Sequence, residues 1–152
     1  MGGFMPFQPK LYDNNAVMAF LARYQEAERE ISAAQTRLER LEHQAAKDAA
    51  FLTAEIQRAI IDDRQRITQR VQEAQAIKES VLEMLALLPQ GNERRALELY
   101  YVGGLNNDKI ADAMFYSPRA VRMFKERGIT MLIGIIKRRN DNGDEEKDDA
   151  EG

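Results

Sequence analysis

Residues 14–88 contain neither glycine nor proline. The two residues that end helices most readily are therefore missing, and Ala, Glu, Gln, Arg and Leu dominate the stretch, so nearly all of it is expected to be helix. Asp13 or Asn14 is placed to cap its start, a side-chain oxygen accepting an otherwise unpaired amide of the first turn. Val17, Tyr24, Ile31, Leu38 and Ala45 then recur every seven residues, interleaved with Phe20, Ala27, Ala34 and Leu41. Two apolar positions in seven define one narrow stripe. Continuing that register places Asp48, Glu55 and Asp62 on the stripe, so the repeat ends near Ala46, and a second set takes over at Ile60, Ile67, Ala74, Val81 and Leu88, with Val71, Ile77, Met84 and Leu85 beside it. The phase break predicts two or three helices, turning near residues 43–50 and again at Asp62 and Asp63, which can cap a new helix. With a turn the segment is an antiparallel hairpin; without one it is a rod of about 110 Å at 1.5 Å per residue. Both remain open from the sequence. The stripe needs a partner in either case, from the same chain or a second copy, and a homodimer through the N-terminal helices is expected.

Composition bounds the function. At 152 residues the chain is one domain, or one small domain with a helical extension. With no cysteine, disulfides, thiolate metal sites and cysteine nucleophiles are excluded. One histidine, His43, allows no Ser-His-Asp set, and there is no glycine-rich phosphate loop, so no enzyme, catalytic residue, metal or cofactor is expected. His43 reads as surface, Asp62 and Asp63 as capping residues rather than ligands, and Met18, Met84, Met114 and Met131 as core. No signal peptide or membrane-spanning run is legible, which predicts a cytoplasmic protein without membrane contact. Residues 1–13 read as a flexible N-terminus, with Pro6 and the apolar patch around Phe4 as an alternative partner-binding tip.

The net charge of -3 conceals three blocks of different sign. Residues 1–88 carry 11 Lys or Arg against 13 Asp or Glu, residues 89–140 carry 10 against 5, and residues 141–152 carry 1 against 7. A basic module followed by an acidic tail is the expected arrangement, with disorder the default reading of the tail.

Pro89 to Gly91 is the first punctuation in the body of the chain, and the composition changes there. The domain boundary is placed at that point, with Asn92 capping a helix from Glu93 to about Val102 that buries Ala96, Leu97 and Tyr100 or Tyr101 and stops at Gly103 and Gly104. Leu105 packs inward, Asn106 caps a short helix over 107–114, and Ile110, Ala111 and Met114 form its buried face. Phe115 and Tyr116 make a turn; Ser117 caps a third helix and Pro118 takes its first position, where a missing amide costs nothing. Val121, Phe124, Gly128, Ile129 and Leu132 share one face of it. Arg119, Met123 and Glu126, flanked by Arg122 and Thr130, share the other, and arginines in the first turns of an exposed helix suit the major groove because a guanidinium can bond two acceptors on guanine.

The run Tyr101-Val102-Gly103-Gly104-Leu105-Asn106-Asn107-Asp108-Lys109-Ile110-Ala111, followed by Met114, Tyr116, Ser117, Val121 and Phe124, resembles the helix-turn-helix of sigma-factor region 4. It is most similar to the version in phage regulators of the ArpU type, in which a Tyr-Ser turn precedes an arginine-bearing helix. The sequence departs from that pattern at Tyr100, Asn106, Lys109, Phe115 and Gly128; Phe115 stands where glycine makes the turn, and a bulky residue there predicts a longer or differently shaped turn. The resemblance implies a phage-encoded regulator of late genes, in the host cytoplasm, that contacts promoter DNA and RNA polymerase. By position it implies Asn106, Ser117, Arg119, Arg122, Met123, Lys125, Glu126 and Arg127 as the DNA-binding set, with Ser117 on phosphate, Met123 against a thymine methyl, and Lys125, Arg127, Lys137, Arg138 and Arg139 adding phosphate attraction.

The fold expected is thus all-α: long amphipathic helices over 14–88, as coiled coil or hairpin, then a trihelical helix-turn-helix domain over 89–140 and the tail 141–152. Alternative functions from the same features are a helical assembly or DNA-packaging protein of the small-terminase kind, and an adaptor whose helix-turn-helix grips RNA polymerase.

Overall fold

The computed structural model describes the backbone of residues 13–151 and the side chains of 13–141. Within them the chain is all-helical: α1 (Asn14–Lys47), a short 3-10 turn (Ala49–Phe51), α2 (Ala54–Leu85), α3 (Asn92–Leu97) continuing into a π-helical segment (Glu98–Val102), α4 (Asn107–Met114) and α5 (Pro118–Glu151). The expected flexible N-terminus, with Phe4 and Pro6, lies outside the described residues apart from Asp13.

Asp13 is the residue that opens α1, its Oδ1 accepting from the Asn15 amide at 3.1 Å and its carbonyl from Val17. The turn after α1 falls at residues 48–53, and Thr53, just before α2, accepts through Oγ1 from the Ile56 amide at 3.2 Å. A second turn at Asp62 and Asp63 does not occur: α2 runs through both, and Asp63 faces Arg66 at 3.7 Å instead of capping. Their charge sits on a solvated face, so the apolar register can change without a break in the backbone.

The helices sort into two compact units. One, Glu26–Glu79, is a hairpin. Its ion pairs link Glu28 to Lys78 at 3.4 Å and Glu42 to Arg64 at 3.9 Å. Partner numbers that fall on one strand as they rise on the other mean antiparallel helices in constant register, so the rod is excluded. Ala27, Ile67 and Ala74 are buried there, while Ile31, Ala34, Leu38 and Leu41 of the heptad stripe are half-buried.

Of the described residues, the other unit takes 13–25 together with 80–151. The structural division therefore falls inside α1 and α2 and not at Pro89, where composition suggested it. The cause is a shared core: Val17, Phe20, Leu21 and Tyr24 of α1 and Val81, Met84, Leu85 and Leu88 pack with Leu97, Tyr101, Ile129, Leu132 and Ile136. A fully buried Leu of this kind contributes about 1.5–3 kcal/mol, so detaching residues 14–25 from this unit would strip part of its interior. A second cluster, Ala96, Ile110, Ala111, Met114 and Val121, joins α3, α4 and α5. Met84 and Met114 are core as expected, but Met18 is 44% exposed. The backbone of α5 continues past Asn140, where the helical domain is expected to end, through Glu151 in the stretch expected to be disordered; no proline interrupts it after Pro118.

Candidate nucleic-acid interface

Three short joints set the geometry of α3, α4 and α5. Asn92 does not cap α3, whose first residue it is; its Nδ2 donates to the Tyr116 hydroxyl at 3.1 Å and so ties α3 to the turn before α5. Arg94 closes the linker after α2, donating from Nε to Glu98 at 2.8 Å and from Nη1 to the Leu88 carbonyl at 3.3 Å. At the far end of the π segment Gln25, from α1, donates through Nε2 to the carbonyls of Tyr101 (3.2 Å) and Val102 (2.8 Å). The last carbonyls of a helix lack partners in their own helix, and this amide supplies them. The sequence offered no signal for Gln25, because its partners lie more than 70 positions away.

Asn106 is the N-cap of α4, its Oδ1 accepting from the Lys109 amide at 2.9 Å. Ser117 caps α5 in the same way, Oγ accepting from Ala120 at 3.1 Å. Between the helices the turn is neither longer nor of the different shape expected from a bulky residue at 115. Phe115 itself takes the left-handed conformation (φ 60°, ψ 41°) that ends α4, its amide bonding to the Ala111 carbonyl, and only Tyr116 and Ser117 separate it from Pro118. Tyr116 holds the turn by packing edge-to-face on Phe124, ring centres 4.9 Å apart. The helix, three-residue turn and helix are thereby fixed without glycine.

Beyond that turn α5 has two faces. Val121, Gly128, Ile129 and Leu132 are buried and Phe124 half-buried, while Arg119, Arg122, Met123, Glu126 and Arg127 are exposed. Ser117 and Asn106 are also at the surface. Seven of the eight residues singled out from sequence therefore present themselves to solvent, and the eighth is Lys125, which is half-buried with Nζ 3.6 Å from the centre of the Tyr100 ring. Such a cation over an aromatic face is held by the ring quadrupole. Burial lowers the Lys125 pKa, the neighbouring Arg122 lowers it further and Glu126 opposes them. Of the two adjacent tyrosines the inward one is Tyr101; burial, and secondarily Tyr100, pushes its pKa up to about 12.

Beside Lys125 lies a cleft of about 550 Å³, lined by Asn14, Met18, Tyr100, Asn107, Arg122 and Glu126 among others. Among the described residues the buried Asn107 Oδ1 has no hydrogen-bond partner. Among the described residues no cluster of His, Asp or Glu could hold a metal ion, and no helix is long and apolar enough to cross a membrane. The chain matches no protein-family model, no curated protein and no solved structure.

Proposed function

We propose that this chain is a sequence-specific DNA-binding transcriptional regulator that grips double-stranded DNA through α4, the turn and α5, used as a helix-turn-helix with α5 in the major groove. The observation that carries the reading is the exposed face of α5: Arg119, Arg122, Met123 and Glu126 within its first turns, on a helix anchored from behind by Val121, Ile129 and Leu132. A reading helix must present side chains that bond base edges while its own position is fixed by packing. The ten basic against five acidic residues of 89–140 supply the attraction to phosphate that all such binding needs. Ser117 and Asn106, spent on capping, sit at helix N-termini where backbone amides can also meet phosphate.

The resemblance of residues 101–124 to sigma region 4 and to ArpU-type regulators extends the proposal to a phage late-gene regulator that also touches RNA polymerase. Dimerisation through the N-terminal helices belongs to the same reading, supported by the half-buried Leu38 and Leu41 and by Ile56 and Ile61, which are 46% and 52% exposed on α2. A dimer would read two half-sites about one helical turn apart.

The test is selection from a pool of random-sequence duplexes at several salt concentrations, with wild type beside Arg119→Ala/Arg122→Ala. Wild type is expected to enrich one motif with a steep salt dependence. Each lost bidentate contact to a base is worth about 1–3 kcal/mol, so the double variant should bind that motif at least tenfold more weakly and no better than unrelated duplex. Equal binding of every duplex by both proteins, or of none, overturns the reading.

A further inference from the structure

The turn between α4 and α5 holds an aromatic residue that the fold does not use. Phe115 is, among the described residues, the one non-glycine residue with positive φ. An L side chain is disfavoured there, and glycine or asparagine would fill the position with less strain. The ring obtains no compensating burial, being 94% exposed. Nor does it hold the turn, a task Tyr116 performs through Phe124 and Asn92. The amide bond from Phe115 to Ala111 is a backbone contact that any residue would make. A strained backbone and a bare apolar ring at one position, with no return inside the molecule, mark a residue retained for something outside it.

We propose that Phe115 is itself a reading residue, an apolar contact for thymine methyl groups next to the bases met by Arg119 and Arg122; the inference rests on the DNA-binding function proposed above. The surroundings select this occupant. Phe115 leads into the end of α5 that bears the exposed Arg119 and Arg122, within a block whose basic residues outnumber acidic ones two to one, a charge complementary to nucleic acid. Met123, 43% exposed on that helix, continues the apolar character. The thymine methyl is the apolar group that the major groove offers, and aromatic or aliphatic side chains are its partners.

The experiment compares wild type, Phe115→Gly and Phe115→Asn on the duplex enriched in the selection above, made once with thymine and once with deoxyuridine, which lacks only the methyl. Wild type should lose about fourfold in affinity for each contacted methyl removed, the worth of burying one methyl-sized group. Both variants should bind the thymine duplex more weakly and lose the Phe115 share of the thymine preference, about fourfold per methyl, keeping only the share that Met123 supplies, while Phe115→Gly unfolds at a higher temperature than wild type, proving that binding was not lost through misfolding. Should wild type and Arg119→Ala/Arg122→Ala behave as proposed but the Phe115 variants keep wild-type affinity and thymine preference, this inference falls and the DNA-binding function stands. Failure of wild type to select any duplex overturns both.

Discussion

The Cβ that Gly128 lacks would lie 2.6 Å from Cδ1 of Leu97 and 3.2 Å from its Cγ, with the Glu93 carbonyl at 3.3 Å. A methyl group at the end of a flexible side chain could swing away, but Leu97 is fully buried and has nowhere to go. Two effects compete in Gly128→Ala. Alanine is the better helix former by about 1 kcal/mol, and overpacking of a filled core costs about 1–3 kcal/mol. The second wins at this contact, so the variant should be less stable by about 1 kcal/mol, read as a lower denaturant midpoint at unchanged slope. Adding Leu97→Val, which withdraws the obstructing atom, should recover part of that loss; a Gly128→Ala protein more stable than wild type would show that α3 and α5 are not this closely packed. The sequence places Gly128 on the inward face of α5 and marks it as a departure from the resembled pattern, but does not say why a side chain is missing there. Its reason is the size of Leu97 on another helix, which no local signal carries.

At the scale of elements, α1 and the α3–π segment are joined by the Gln25 amide, whose nitrogen serves two carbonyls at once. Gln25→Glu keeps the shape and removes the donor, setting a carboxylate against two carbonyl oxygens. Hydrogen bonds of this kind contribute about 1 kcal/mol each, and an unsatisfied charged group costs more, so the variant should lose about 2 kcal/mol at neutral pH. The sign of its pH dependence follows. The folded state disfavours the ionised form, which raises the carboxyl pKa above the ordinary value of about 4.3, so the deficit relative to wild type is present above that raised value and shrinks as pH falls below it, where the acid regains a proton to donate. Urea unfolding of both proteins at neutral and acid pH checks this; a deficit that does not change with pH would mean the amide's hydrogen bonds do not hold the segment. The legibility of the elements divides along the same line. Ser117-Pro118 and Asn106 announce helix starts because capping is decided by adjacent residues, and the period of Val17, Phe20, Tyr24 and Ala27 announces a buried stripe because helix geometry alone converts spacing into a face. Thr53 was missed for the more conspicuous Asp62 and Asp63, though Glu55 in its first turn was the available signal. The unit boundary at Gln25 and Ser80 was missed because a helix can run unbroken from one core into another, leaving no mark in composition. For the candidate interface, exposure of Arg119, Arg122 and Met123 followed from their spacing against Val121 and Leu132. The seat of Lys125 on Tyr100 and the left-handed Phe115 depend on how helices meet.

For the whole molecule the decisive quantity is where charge sits. Residues 141–152 carry seven acidic residues against one basic, and only Asn140 separates them from Lys137, Arg138 and Arg139 in the chain. On the proposed function the basic block draws in phosphate, and an acidic stretch covalently attached to it opposes that attraction at any DNA sequence, since charge acts on the backbone and not on base edges. Removing residues 141–152 should therefore tighten binding to unrelated duplex, roughly tenfold at low salt, while tightening the selected motif by the same factor and leaving the ratio between them unchanged. The gain should fade at an ionic strength on the order of 1 M, where the Debye length shrinks to ~3 Å. Replacing the acidic residues of the stretch by Asn and Gln at full length separates charge from length. If the neutralised chain binds like the truncated one, the tail acts through its field. A truncated chain that gains affinity for the motif alone, or whose gain persists at high salt, would show instead that the stretch blocks the reading face by contact.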